Sequence, residues 1–158
     1  MSIAEFLGKV CKIVLPIPEE KYLGNSGSGI AICTLSSIDL MKKLVNRGIL
    51  DNVAVVGRLL SENQGIDSLI TNSITCGIQT ILLCGKEVSG HKTGHSLLML
   101  HKNGVDNHGN IVDSVSPNPN LTVSKEKIDQ FRKRVVLVNK IGNENIHEII
   151  AEIRSLRN

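Results

Sequence analysis

Residues 53–85 read VAVVGRLLSENQGIDSLITNSITCGIQTILLCG. Two short apolar runs, 53–56 and 80–84, end on glycines, Gly57 and Gly85. Between them, Ile66, Leu69, Ile70 and Ile74 fall at the three-to-four spacing of a helix that begins near Glu62. Strand, helix, strand is the repeating unit of a parallel sheet, because parallel neighbours need a crossover connection. Outward from this unit the alternation continues. Upstream, residues 30–34 form a first buried run. Ser36 or Ser37 is placed to cap a helix through Leu40, Met41, Leu44 and Val45. Downstream, the pattern predicts a helix over 96–102, a short strand over 111–115 and a helix over 124–132 with Glu126 in its first turn. A last strand over 135–138 and a closing helix over 144–156, with Ile146, Ile149, Ile150 and Ile153 on its inner face, complete the chain.

Continuous apolar strands separated by helices are expected where helices cover both faces of a mostly parallel sheet. The fold class is therefore α/β, a Rossmann-like doubly wound sheet. Residues 1–29, rich in Pro, Gly and Ser after Leu15, are expected to pack on the domain as an irregular N-terminal segment. Residues 30–158 form the ligand-binding domain, so the chain is a single domain overall.

The composition narrows the function. With 41% hydrophobic and 21% charged residues, the 158-residue chain can bury a core and stay soluble. The only aromatic residues are Phe6, Tyr22 and Phe131, which argues against binding single strands of nucleic acid by base stacking. A net charge of +3 is too small to imply a polyanionic partner. Arg132, Lys133 and Arg134 suit a helix C-terminus. The four cysteines form no C-x-x-C pair, and Cys33 and Cys84 read as small core residues in a reducing compartment. Neither a membrane span nor a signal peptide is evident, so a cytoplasmic location is expected.

Ligands of such sheets bind beyond the carboxyl ends of the strands. The loop after the third buried strand reads CGKEVSGHKTGH, residues 84–95. Its glycines let a bulky planar ligand approach closely. His91 sits among them, and neutral imidazole is a good ligand for a borderline transition metal. Glu87, Ser89 or Thr93 is placed to accept the other ring N–H. The alternative is that His91 hydrogen-bonds only within a tight loop. His91 and His95 lie four apart, but Lys92 stands where a zinc hydrolase of the H-E-x-x-H type has its Glu. His95 reads as a helix-surface residue or a pocket wall, and His101 and His147 as surface residues. Asp106 to Gly109 reads as a polar turn. The cluster Gly24, Gly27, Gly29 precedes a strand instead of following one, so it is no dinucleotide fingerprint. In the loop after the second buried strand, Ser61 is a candidate helix cap and Glu62 suits the helix dipole. Glu62 and Asn63 also offer hydrogen bonds to a ligand, and Leu59 and Leu60 an apolar surface.

Several stretches resemble one family. Residues 31–37, AICTLSS, are similar to the AVCTLGS opening of the A subunit of tetrahydromethanopterin S-methyltransferase. Residues 61–66, SENQGI, resemble its TENLGI, and residues 81–104 resemble its LILCGxEVxGHxTGQSLxxLHxNG segment. Pro16, Pro18 and Tyr22 echo its proline-rich entry. The resemblance covers about Pro16 to Gly142. It implies a domain that binds a cobamide, with the histidine of G-H-x-T-G, here His91, as lower axial ligand of cobalt. It further implies methyl transfer from methyl-tetrahydromethanopterin to coenzyme M, with other subunits binding those substrates and a complex that exports sodium. The candidate cofactor contacts are Thr34, Leu35, Ser36, Gly57, Leu59, Leu60, Glu62, Asn63, Cys84, Gly85, Glu87, Gly90, His91, Thr93, Gly94, Ser114 and Pro117. Two features depart from the pattern. His95 stands where the family has Gln, and the chain ends at Asn158 in a charged helix where relatives continue into a membrane anchor. A free-standing homologue, or a form without the anchor and at most peripheral to a membrane complex, is expected. A corrinoid storage or delivery module without turnover, and an unrelated α/β hydrolase or nucleotide binder, are the alternatives. No Ser–His–Asp constellation or P-loop favours the last.

Overall fold

A computed structural model describes residues 21–158. The expected N-terminal segment therefore lies mostly outside the described residues. The strands are β1 (Lys21–Leu23), β2 (Ile30–Cys33), β3 (Val55–Gly57), β4 (Thr80–Leu83) and β5 (Val136–Asn139). The helices are α1 (Ile38–Asn46), α2 (Gln64–Thr75), α3 (Thr93–Asn103), α4 (Lys125–Arg134) and α5 (Ile146–Leu156), with a short 3₁₀ turn at Ile49–Asp51. The sheet order is β1-β3-β2-β4-β5. β3, β2, β4 and β5 run parallel, and β1 joins the edge antiparallel, with Lys21 opposite Gly57 and Leu23 opposite Val55.

Side chains alternate across the strands, and this separates two cores. Ala31, Cys33, Ile81 and Leu83 pack with Ile66 and Ile70 of α2, Leu97 and Leu100 of α3, and Ile128 and Phe131 of α4. Ile30, Ile32 and Leu82 face the other way, onto Leu40, Met41 and Leu44 of α1 and Ile149 and Ile153 of α5. β2 is buried along its whole length. β5 is the open edge, and Val136 is 59% exposed. Cys33 and Cys84 are buried free thiols. Burial, above all, pushes Cys33 up to about 12, and it raises Cys84 as well. No helix among the described residues is long and apolar enough to cross a membrane.

Helix ends follow local chemistry. Ser124 caps α4 by accepting from the Lys127 N–H, and Arg132, Lys133 and Arg134 fill its last turn. Ser124→Ala should lower stability by about 1 kcal/mol, read by urea unfolding. Ser37 stands at the N-cap of α1 but does not cap it. Its hydroxyl accepts from Lys86 N–H at 2.8 Å and donates to Glu144 Oε1 at 2.7 Å. It therefore stitches three loops at the carboxyl edge. Gly85 is obligatory there. Its φ is +76°, and a Cβ would lie 2.3 Å from the Thr34 carbonyl oxygen.

Three expectations are corrected. The segment before residue 30 is not irregular throughout, because residues 21–23 pair with β3. Residues 111–115 form no strand. Ile111 bridges Val105 and Asn110 bridges Asn120 in isolation, and Asp113 takes a left-handed φ of +64° that ends any extended run. His101 is no surface group. Its Nε2–H donates to the Val135 carbonyl at 2.6 Å, and its ring meets Phe131 edge-on.

Candidate functional site

Loops from β2, β3 and β4 converge at the carboxyl edge of the sheet, joined by a long connection between α3 and α4. Thr34 N–H donates to Gly57 O, Ser36 N–H to Lys86 O, and the Thr93 hydroxyl to Leu59 O at 2.7 Å. These bonds fix the β4–α3 loop against the β3–α2 loop.

His91 lies at the tip of this assembly. It sits between two left-handed residues, Gly90 at φ +77° and Lys92 at φ +50°. That pair turns the backbone sharply and presents the imidazole outward, with the side chain 52% exposed. Its Nδ1–H donates to Glu62 Oε2 at 2.9 Å. The Glu62 side chain is 3% exposed, and its Oε1 accepts from the Asn118 N–H at 3.0 Å. Nε2 of His91 is left without a hydrogen-bond partner among the described residues. A carboxylate on one ring nitrogen fixes the tautomer and leaves the lone pair of the other for a metal.

The ring's partner is thus Glu62, 29 residues away in sequence, and not Glu87, Ser89 or Thr93. Burial by itself raises the Glu62 pKa. Backbone N–H groups of Glu62 and Asn118, with His91, outweigh burial and hold it below the usual carboxylate range. Glu87 does something else. It accepts from the Val88, Gly94 and His95 N–H groups and so satisfies the N-terminus of α3.

A hydroxyl trio supports the histidine from behind. Ser96 Oγ lies 2.6 Å from Ser114 Oγ and 2.5 Å from Ser116 Oγ, and Ser116 in turn donates to the His91 carbonyl. The Ser116 N–H donates to Ser114 Oγ at 3.2 Å. Between these serines Val115 is 63% exposed, beside His95, whose Nε2 accepts from the Val115 N–H at a long 3.4 Å.

The remaining candidates divide by burial. Thr34, Leu35, Leu59, Cys84, Gly85, Thr93 and Gly94 are buried and back the loops. Ser36, Gly57, Leu60, Asn63, Glu87 and Ser114 are partly exposed, and Gly90 and Pro117 are exposed beside His91. Asn63 accepts from Gln64 N–H at the start of α2, and Ser61 Oγ accepts from Gly65 N–H. Asn118, Ser96 and Ser116 are not among the site residues expected from sequence. A polar serine inside the α3 pattern was the one available signal.

Among the described residues no group of three or more His, Cys, Asp and Glu side chains could hold a metal ion. One outward imidazole with no companion ligands among the described residues suits a metal that brings its other ligands with it. Corrin supplies four equatorial nitrogens to its cobalt, so a cobamide fits this donor set, whereas a bare zinc ion needs further protein ligands.

The fold and site define an α/β domain that presents one carboxylate-backed histidine at its ligand edge. Residues 14–158 match the family model of the tetrahydromethanopterin S-methyltransferase A subunit, and the chain belongs to that family. A Methanosarcina barkeri protein provisionally assigned as the A subunit of the methyltransferase Mtx is 39% identical over 145 residues, covering 90% of this chain and 70% of its own. The tetrahydromethanopterin S-methyltransferase A subunit of Methanosphaera stadtmanae is 36% identical, covering 83% of this chain and 52% of its own. The corresponding subunit of Methanocaldococcus jannaschii is 34% identical, covering 88% and 58%. The chain thus spans little more than half the length of these last two relatives.

Proposed function

We propose that the chain holds a cobamide with His91 as lower axial cobalt ligand and serves as methyl carrier between methyl-tetrahydromethanopterin and coenzyme M. Family membership supports the methyltransferase part. The observation that most supports the cofactor is the ring's setting: Nδ1–H bound to buried Glu62 and Nε2 open at the ligand edge. When bound, the corrinoid supplies a cobalt centre that accepts and gives up a methyl group. Glu62 holds the proton on Nδ1 and steadies the ring plane. Ser116 and the left-handed pair Gly90 and Lys92 fix the backbone beneath it. Val115 and Leu60 offer apolar surface to the macrocycle. His91 would hold the cofactor's metal through Nε2, with Glu62 keeping the ring in the tautomer that leaves this nitrogen free. The two substrates fall to other subunits, and the domain sits at the cytoplasmic side of a membrane complex or works free of it.

The test is the visible spectrum of the full chain reconstituted with cobalamin, for wild type and His91→Ala. Wild type should retain the chromophore, and the variant should shift the axial-ligand band. Failure of wild type to retain any corrinoid would reject the cofactor. Identical spectra for the two proteins would take His91 off the metal.

A further inference from the structure

Residues 104–124 join α3 to α4 without a helix or strand of their own. Connections of this length inside a compact domain are commonly functional. The later part, residues 114–123, crosses both members of the histidine–carboxylate pair. At one end the Ser116 hydroxyl donates to the His91 carbonyl. In the middle the Asn118 N–H donates to Glu62 Oε1 at 3.0 Å. At the other end this strap meets Asp67, in the first turn of α2. Asp67 Oδ2 accepts from the Thr122 hydroxyl at 2.7 Å and from the Thr122 N–H at 3.0 Å. Its Oδ1 accepts from the Val123 N–H at 3.2 Å.

Asn118 is exposed, so burial of its own side chain does not hold its N–H at Glu62. The anchors on either side must do so. Leu121 is buried in the core. Apolar contact has no direction, however, and leaves the strap able to turn about that side chain. Hydrogen bonds have direction, and Asp67 supplies them next to Leu121.

We infer that Asp67 is a positioning residue for His91. It latches the strap, the strap keeps the Asn118 N–H on Glu62, and Glu62 keeps the His91 proton on Nδ1. Asp67 makes no hydrogen bond to His91 or Glu62 among the described residues, so it acts only through the strap. Without the latch, the Thr122 and Val123 N–H groups turn to water and Asn118 leaves Glu62. The buried carboxylate then has one fixed donor fewer and no longer holds a single position against the ring. The ring proton is free to move to Nε2, the nitrogen a metal needs bare. The purpose of the latch rests on the reading of His91 as metal ligand, but the latch itself acts in the metal-free chain. A carboxylate in a first turn also suits the helix dipole. That role alone would leave the His91 ring unchanged.

The experiment uses the full, metal-free chain labelled with nitrogen-15, at alkaline pH where imidazoles are neutral. Long-range proton–nitrogen spectra of the His91 ring report which nitrogen carries the proton, and amide exchange reports on Asn118. In Asp67→Ala the share of rings protonated on Nε2 should rise about fivefold, the factor that one net hydrogen bond is worth. The Asn118 amide should exchange roughly tenfold faster. Asp67→Asn keeps an acceptor oxygen and should shift both readings less. Thr122→Ala removes one latch bond, keeps the charge on α2, and should shift both in the same direction. It decides the matter if circular dichroism shows Asp67→Ala to be unfolded. A faster Asn118 amide with an unmoved His91 proton would overturn the inference, and so would no change in either. Cobalamin retention by wild type is a separate reading, so failure of the cofactor proposal and failure of the latch are told apart.

Discussion

Glu62→Gln should weaken corrinoid retention by about 10- to 100-fold while leaving the fold in place. The substitution keeps shape and burial but changes the proton inventory. A carboxylate accepts twice, from His91 Nδ1–H and from the Asn118 N–H. A glutamine can accept at one end only. If its oxygen stays on Asn118, its amide group faces His91, Nδ1 must accept, and the ring proton moves to Nε2. The metal-binding lone pair is then gone. If the amide turns round, two N–H groups confront each other at Asn118. Gel filtration of the reconstituted variant, read at the corrinoid absorption, gives retention, and circular dichroism gives the fold. Undiminished retention would show that the carboxylate does not set the tautomer.

Acid should act on the same atom. The folded pKa of Glu62 lies below its unfolded value. Its contribution is therefore complete above the unfolded value, about 4.3, and is lost as pH falls through the lower folded one. From neutral pH down to that range, Glu62 adds no pH dependence of its own.

Phe131→Ala should destabilise the protein by about 3–5 kcal/mol, the largest loss expected from any single core truncation here. Phe131 is fully buried and is the largest of the fully buried side chains. It lies on α4, packs in the core shared with α2 and α3, and holds the His101 ring edge-on. Its loss leaves a cavity among the Ile, Leu and Val side chains packed around it. Urea unfolding measures the change, and a loss under about 1 kcal/mol would mean that the helices close up around the gap.

Most of the fold was legible because its signals are local. The runs at residues 30–34 and 80–84 have the length of buried strands, and the spacing of Ile66, Leu69, Ile70 and Ile74 is that of a helix. β1 was missed because three residues between Pro18 and Gly24 are too short for periodicity to register. The false strand at 111–115 arose from Ile111 and Val112, in a stretch that makes two isolated bridges and nothing longer. His101 misled because its neighbour Lys102 is exposed, while its own burial comes from α4, some 30 residues further on.

The site was legible to a lesser degree. Glycines and a strand end located His91. The identity of its partner could not be read, since Glu62 belongs to a loop one strand removed, with β2 between β3 and β4. Glu87 looked like the better candidate in sequence, yet the bare N–H groups of α3 claim it.

The hydroxyl trio behind His91 has a direction. Each serine owns one proton. Ser116 gives its proton to the His91 carbonyl, so Ser96 must give its own to Ser116, and Ser114 must give its own to Ser96. No hydroxyl in the row can turn round without breaking the one after it. The relay is polarised from Ser114 toward the backbone of His91, and each dipole strengthens the next. A disturbance at the exposed Val115, between the first and last of these serines, therefore arrives at the histidine as a change in the charge on its own carbonyl oxygen.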